Sequence, residues 1–487
     1  MRTVIVSLLV AWTACVVSHP HDHQGRDESS SLDPAAFSAE DIIERDVVIV
    51  GGGSSGCYTA VSLRDLNKSV VVIEKKGVLG GHAETYVNPF TGYTTDIGVV
   101  IFHNIQVVLD YFAKFNTPLF ELQSIINNQT YVDFTTGQTV DFQAPTAEAF
   151  GLALQSYAAQ LERHPDIEVG FDNLDYPVDP DLLLSFGDFV EKYGLGDMVS
   201  QSFLVDQGYT PFLDISMLYI FKYMGKYQVR DYLDAPLLTT EHHNIQELYT
   251  KITKFLGPDA LLNTNVIAME RKHLNQYPTK SWGQRPIRVL VQTPSGPKLI
   301  LAKALVTAAP PVVDGLTGFD LSREERRLFK KFRANGYYTG ILNNTGLSQP
   351  LTAADPSQPY GLPVLPGLYN IVITPDGLTQ VYYGSPSVLP DDEVKADIIS
   401  RIRAVQRAQG IKTNGVEPDW LIFSNHSPFN LMVSNDEIEA GFYKKLTGLQ
   451  GQRNTFYHGA AWQTQDSSVL WEFTNEYILP RLLEVLE

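Results

Sequence analysis

Cysteine is nearly missing: the chain of 487 residues has two. Cys15 lies in the first apolar run and Cys57 in a glycine-rich turn. A secreted chain left with one thiol has no internal disulfide, so a large core must hold it together, and the length permits one. Positive charge is also short, with 37 Lys and Arg against 55 Asp and Glu, a net of −18. That balance speaks against nucleic acid and anionic membrane as partners, because both need clustered cations. Long apolar runs are absent beyond the N-terminus. No later stretch reaches about eighteen apolar residues, so no transmembrane span is expected.

The first run, Val4 to Val17, follows the positive start Met1-Arg2 and ends at Val16-Val17-Ser18. It is too short for a span and has the flanks of a secretory signal, residues 1–18; an uncleaved anchor is the other reading. The expected location is therefore outside the cell or in the secretory lumen. Four N-x-[ST] acceptors fit that route: Asn67, Asn128, Asn343 and Asn425. Residues 19–45 read as a flexible linker without periodicity. Its start, "HPHDH", reads as a solvated tail, and no metal site is expected.

From Asp46 the pattern is strand, glycine turn, helix, strand: "DVVIV", "GGGSSG", "CYTAVSLRDL", "SVVVIE". Near-continuous apolar strands belong in a parallel sheet covered on both faces. Gly51-x-Gly53-x-x-Gly56 sits between the first strand and the helix. The first glycine allows a tight turn, the second a close approach to pyrophosphate, and the third helix packing on the strand. Glu74 ends the next strand, where a carboxylate can accept from ribose hydroxyls. Together these predict a dinucleotide, with a tight structural turn as the plainer alternative. Cys57 reads as a small buried residue of the first helical turn. Helical periods and dense Tyr and Phe dominate 106–240, and β character returns in "LLNTNVIAMER", "IRVLVQTPSG" and "ALVTAAPP". The charge-rich "REERRLFKKFR", Arg323 to Arg333, reads as a helix with a solvated face.

The glycine turn is followed by "KKGVLGGHAETY" and "YTTDIGVVIFHN", and the chain ends in "FYHGAAWQTQDSSVLWEFTNEYILPRLL". Here it resembles the flavin amine-oxidase-like superfamily in three blocks, about 200 residues in all. The "GGH" doublet, the "SSVLWEFTNEYILP" ending and the signal resemble most the fungal secreted group named for beta-cyclopiazonate dehydrogenase. The fold so implied is α/β: a Rossmann-like, FAD-binding parallel-sheet domain built from segments 46–105, 241–320 and 421–487. An inserted α+β substrate domain takes 106–240, mainly helical, and 321–420. The cofactor implied is FAD. Its expected contacts are Gly51, Gly53, Ser55, Gly56, Glu74, Lys75, Gly80, Gly81, His82, Gly98, Val99, Val266, Gly459, Ser468 and Val469. Amine oxidases carry Arg where this chain has His82, an acid where it has Ala460, and a flavin-facing Lys that "RANGYYTGILNN" lacks. The cysteine that holds a covalent flavin near the C-terminus in some of them is also missing, so noncovalent FAD is expected.

The resemblance implies FAD-dependent oxidation of a lipophilic secondary metabolite: desaturation, alcohol oxidation or oxidative cyclisation. No second GxGxxG is present for NAD(P)H, so electrons from the substrate leave to oxygen or another acceptor. The alternatives are a redox-neutral double-bond isomerase, a flavin amine oxidase, or a flavin-binding protein without turnover. His82 and His103 are the candidate proton-transfer groups, each with a structural or cofactor role as the plainer reading. His458 and Trp462 are candidate walls of the flavin site. Tyr219, Phe221, Tyr223 and Tyr227 are pocket candidates that plain core packing would equally explain.

Overall fold

Val47–Val50 and Val70–Ile73 have no polar side chain and are buried along their whole length. Strands of this kind need cover on both faces, and a computed structural model shows it. The model describes residues 32–122, 129–206, 209–234, 236–272, 285–413 and 415–487. Val47, Ile49, Val70 and Val72 face a helical layer that includes Ser54–Asp65, Gln246–Leu256 and Ser467–Phe473. Val48, Val50, Val71 and Ile73 face the other way, into a cluster with Met269, Val289 and Val291.

The sheet runs in the order Asn265–Arg271, Ile287–Thr293, Gly296–Thr307, Ile42–Val50, Val70–Ile73, Ala260–Leu261. Strand Gly296–Thr307 is long enough to serve two neighbours on one side. Its start pairs antiparallel with Ile287–Thr293, and its end pairs parallel with Thr455–Tyr457. Three distant stretches thus form one sheet, the Rossmann-like domain expected. Strands ending at Val50, Thr307 and Tyr457 are mutually parallel, so their carboxyl ends open on the same crevice, where α/β sheets hold ligands.

Six helices between Ala147 and Leu233 pack around an aromatic core. Residues 336–425 form most of a second sheet of seven strands. Its order is Asp419–Asn425, Gly336–Asn343, Thr379–Ser385, Gly367–Ile373, Leu351–Ala353, Thr130–Asp133, Gln138–Thr139. The last two come from the stretch read as mainly helical. Helix Asp391–Ala408 covers this sheet with Val394, Ile398, Ile402 and Val405.

Helix Arg323–Phe329 has the solvated face expected, with Arg323, Glu324, Arg326 and Arg327 exposed, and a buried face of Glu325, Leu328 and Phe329. Glu325 closes a capping box with Ser322 and pairs with Arg271 at 2.9 Å and with Arg453 at 2.5 Å. A buried charge persists only when paired and hydrogen-bonded in this way. No described helix is long and apolar enough to cross a membrane. Among the glycan acceptors, Asn67 and Asn343 are exposed, and Asn128 lies outside the described residues. Asn425 differs. Its Nδ2 donates to Asp391 at 2.7 Å and its Oδ1 accepts from Ser427 N–H at 2.8 Å, so the amide needed for a glycan is held at a cavity wall.

Candidate active site

After Val50 the chain turns at Gly51, whose φ of +104° would strain any side-chain-bearing residue. Gly53 caps helix Ser54–Asp65 without a side-chain bond to the first turn. The N–H groups there stay open towards a cavity that Ser54 and Ser55 line, and twelve residues of helix dipole favour an anion at that point. A Cβ on Gly53 would meet only the Gly81 Cα, at 3.6 Å. The space beside it is open on the cavity side. Gly56 has another role. Its Cβ would fall 1.9 Å from the Gly51 carbonyl oxygen, so it seats the helix on the turn and does not line the cavity. Cys57 Sγ donates to the Gly52 carbonyl at 3.1 Å, and burial pushes the thiol far above its ordinary pKa. It is inert packing.

Glu74 does more than its place at a strand end implies. Oε2 accepts the Gly52 N–H and Oε1 the Lys76 N–H, both at 2.8 Å. The carboxylate therefore ties the glycine turn to the next loop, and its remaining lone pairs face the cavity. Gly80 N–H donates to Gly52 O at 2.8 Å and docks the "GGH" doublet against the turn. Gly98 is dictated by contact: a Cβ would sit 1.7 Å from the His82 carbonyl oxygen, which accepts the Val99 N–H at 3.0 Å.

These parts line one cavity of about 1120 Å³. Glu74, Lys75, Thr264 and Val266 stand at one end, and Tyr223, Leu237, Tyr337 and Phe429 line the apolar remainder. Pockets for a single drug-sized ligand run roughly 300–1,000 Å³, so there is room for a dinucleotide and a further molecule. The residues fit FAD: an uncapped helix terminus for the pyrophosphate, and a carboxylate for ribose hydroxyls. Gly51, Gly53, Ser55, Glu74, Lys75, Gly80, Gly81, His82, Gly98, Val99, Val266 and Gly459 all line this space. Ser468 and Val469 do not. The Ser468 hydroxyl accepts the His103 N–H at 3.1 Å behind the wall, and Asp466 and Ser467 face the cavity in their place.

The histidines separate by their partners. His103 Nδ1 meets Asp231 at 2.6 Å and Nε2 meets Asp466 at 3.0 Å. Burial alone would lower its pKa, but the Asp466 and Asp231 carboxylates override that and raise it to about 10. His103 is thus an imidazolium with both nitrogens engaged, and it is no base at neutral pH. It fastens the Asp466 cap of helix Ser467–Phe473 to helix Lys226–Leu233. His458 accepts the Gly459 N–H on Nδ1 at 2.7 Å and meets Thr474 through Nε2 at 2.6 Å. Burial lowers its pKa to about 3, so it is a neutral wall. His82 lines the cavity, and burial, with the charges of Lys76 and Lys75, keeps it neutral. Sequence reasoning missed His426, whose ring centroid lies 5.0 Å from that of His82. It too is buried, neutral and in the cavity wall. The sequence marks it only as the middle of a glycan triplet.

The aromatic candidates split as well. Trp462 is fully buried, stacks on Tyr457 at 5.1 Å and belongs to the core. Tyr219 and Phe221 are core, and Tyr227 donates to Glu472 at 2.8 Å, while Tyr223 lines the cavity.

Residues 49–115 match the family model of an NAD(P)-binding Rossmann-like domain. The chain is 39% identical to FAD-dependent oxidoreductase oblC of Cochliobolus heterostrophus, across 98% of this chain and 99% of that protein. It is 32% identical to beta-cyclopiazonate dehydrogenase of Aspergillus oryzae, across 91% and 94%. Among solved structures, a fatty acid isomerase from P. acnes superposes with a TM-score of 0.68 at 16% identity, covering 90% of this chain and 98% of its own. Putrescine oxidase superposes with a TM-score of 0.60 at 15% identity, covering 91% and 98%. The last two share the fold. The first two, near full length, establish FAD as the cofactor and oxidation–reduction as the chemistry. The chain belongs to the family of fungal FAD-dependent oxidoreductases that includes beta-cyclopiazonate dehydrogenase.

Proposed function

We propose that this enzyme is secreted and oxidises a neutral, lipophilic secondary metabolite, with oxygen or another acceptor taking the electrons. The observation that carries the reading is the chemistry of the cavity beyond the glycine turn. Val205, Tyr223, Leu237, Phe332, Tyr337 and Phe429 make it apolar and aromatic. Its acids are both engaged: Glu74 holds backbone amides at the far end, and Asp466 is paired with His103. A protonated amine would find no free carboxylate among the described lining residues, which weighs against amine oxidation.

When bound, FAD supplies the two-electron acceptance that oxidation requires. The protein does the rest. The open amides at Ser54 and Ser55 and the Glu74 carboxylate hold the dinucleotide. The Gly98–His82 contact keeps the "GGH" loop against the cavity. The aromatic wall excludes water and orients the substrate. Secretion rests on the N-terminal run and its flanks, and glycan attachment on the exposed Asn67 and Asn343.

The test is anaerobic addition of lipophilic metabolites, β-cyclopiazonate first, to the FAD-loaded enzyme. Bleaching of the flavin with formation of oxidised product is expected. A rearranged product of unchanged oxidation state would favour a double-bond isomerase instead. N-terminal sequencing of protein from culture medium should start near His19, and a chain retained in cells with Met1 intact would refute secretion.

A further inference from the structure

We propose that Nδ1 of His426 is the proton acceptor of the oxidation, receiving the proton that the substrate's O–H or N–H loses; this rests on the oxidative reading above. The ring is fixed by its other nitrogen. Nε2 lies 2.9 Å from the Ile97 carbonyl oxygen and 3.0 Å from Thr339 Oγ1. A carbonyl only accepts, so Nε2 carries the hydrogen. The Thr339 hydroxyl donates to the same carbonyl, which leaves its lone pairs to share the Nε2 hydrogen. Nδ1 is therefore the bare lone pair of a neutral imidazole. It is buried without a protein partner, on a ring that lines the cavity. Buried acceptors are almost always satisfied, and one in a cavity wall is open to a bound molecule in the cavity, water or substrate.

The surroundings suit the task. Tyr337 stacks on the ring at 5.4 Å and His82 meets it edge-on at 5.0 Å. The charged groups facing it are Glu84, which would stabilise an imidazolium, and Lys76, which opposes one. Lys76 and Ser424 hold the Glu84 carboxylate in place. Two other cavity histidines are excluded: His103 is already protonated, and His458 has a partner on each nitrogen. His82 is neutral and in the same wall, and it differs from His426 in that no hydrogen bond among the described residues fixes which of its nitrogens is bare.

The step balances. As a CH–OH or CH–NH group is oxidised, the C–H bond gives up a hydride equivalent, the acceptance that FAD supplies. The O–H or N–H bond breaks, its electron pair becomes the new π bond to carbon, and its proton forms a bond to Nδ1. The imidazolium then returns the proton to solvent.

Two measurements test this. Nitrogen-15 NMR of the histidine-labelled, FAD-loaded enzyme, with His426→Gln identifying the signal, should show a pyridine-type Nδ1 and a protonated Nε2 at neutral pH. A protonated Nδ1 would overturn the proposal, whether or not a substrate is known. With β-cyclopiazonate, or the metabolite that bleaches wild type, His426→Gln should reduce its flavin about 10²–10⁴-fold more slowly at unchanged FAD content. The acid limb of the wild-type rate should vanish too. A variant as fast as wild type would equally overturn it. Failure of every metabolite to bleach wild type would count against the oxidative reading and leave the NMR result to decide His426.

Discussion

Replacing His103 by glutamine tests whether this histidine is a clamp or a base. In the wild type two carboxylates, buried Asp231 at 2.6 Å and partly exposed Asp466 at 3.0 Å, share one buried imidazolium. The rise from 6.5 to about 10 corresponds to about 5 kcal/mol, at roughly 1.4 kcal/mol per tenfold change in proton affinity. Breaking a buried ion pair by removing one partner costs about 3–5 kcal/mol. Each carboxylate keeps other partners in His103→Gln. Asp231 retains Arg230 at 2.5 Å, and Asp466 retains the amides of Ser468 and Val469. The loss should therefore lie near the lower figure, about 3 kcal/mol. The sign with pH follows from a raised pKa. This stabilisation is complete below about 6.5 and disappears as pH rises through about 10. Denaturant unfolding of wild type and variant from pH 6 to 10.5 should show a gap that narrows towards the alkaline end. A gap under about 1 kcal/mol at pH 7, or one that persists unchanged above pH 10, would refute the clamp. A base would behave differently: its loss would abolish turnover while leaving this pH-dependent gap absent.

Gly53→Val should lose FAD while keeping the apoprotein fold, because the added side chain points into open cavity; flavin absorbance and far-ultraviolet circular dichroism measure the two separately. Gly98→Ala should fail to fold properly, since its Cβ would sit 1.7 Å from the His82 carbonyl, and loss of soluble expression would report it. Glu74→Gln presents an NH₂ where an oxygen accepts an amide N–H. It should weaken FAD binding roughly ten- to hundredfold in a fluorescence titration. Cys57 should resist a thiol reagent in the native protein and react once the chain is unfolded, giving one thiol per chain when the proposed signal with Cys15 has been removed.

Much of the nucleotide-binding half was legible from local sequence. Asp46–Leu63 contains a buried strand, a turn only glycine can make and an uncapped helix terminus, all within one short segment. Such elements are set by nearest-neighbour sterics and by unbroken apolar character, so the strand, the helix and the anion site can be read in order. The same holds for Glu74, four residues into the next apolar run. The limits appear where chemistry depends on neighbours remote in the chain. Arg323 to Arg333 has the solvated face it reads as having, but nothing in it marks Glu325 as the one acid that Arg271 and Arg453 take inside. His103 looks like a base until helix Lys226–Leu233 and the Asp466 cap bring a carboxylate to each nitrogen. His426 follows Asn425, which pairs with Tyr338, while Ser424 pairs with Thr339. That antiparallel register, with the Ile97 carbonyl behind it, fixes which nitrogen carries the hydrogen. The sequence by itself determined that a dinucleotide binds and which glycines cradle it, because a glycine's missing Cβ acts where it stands. Only the tertiary structure decided the protonation state of each histidine, because that depends on burial and on charges supplied from other segments.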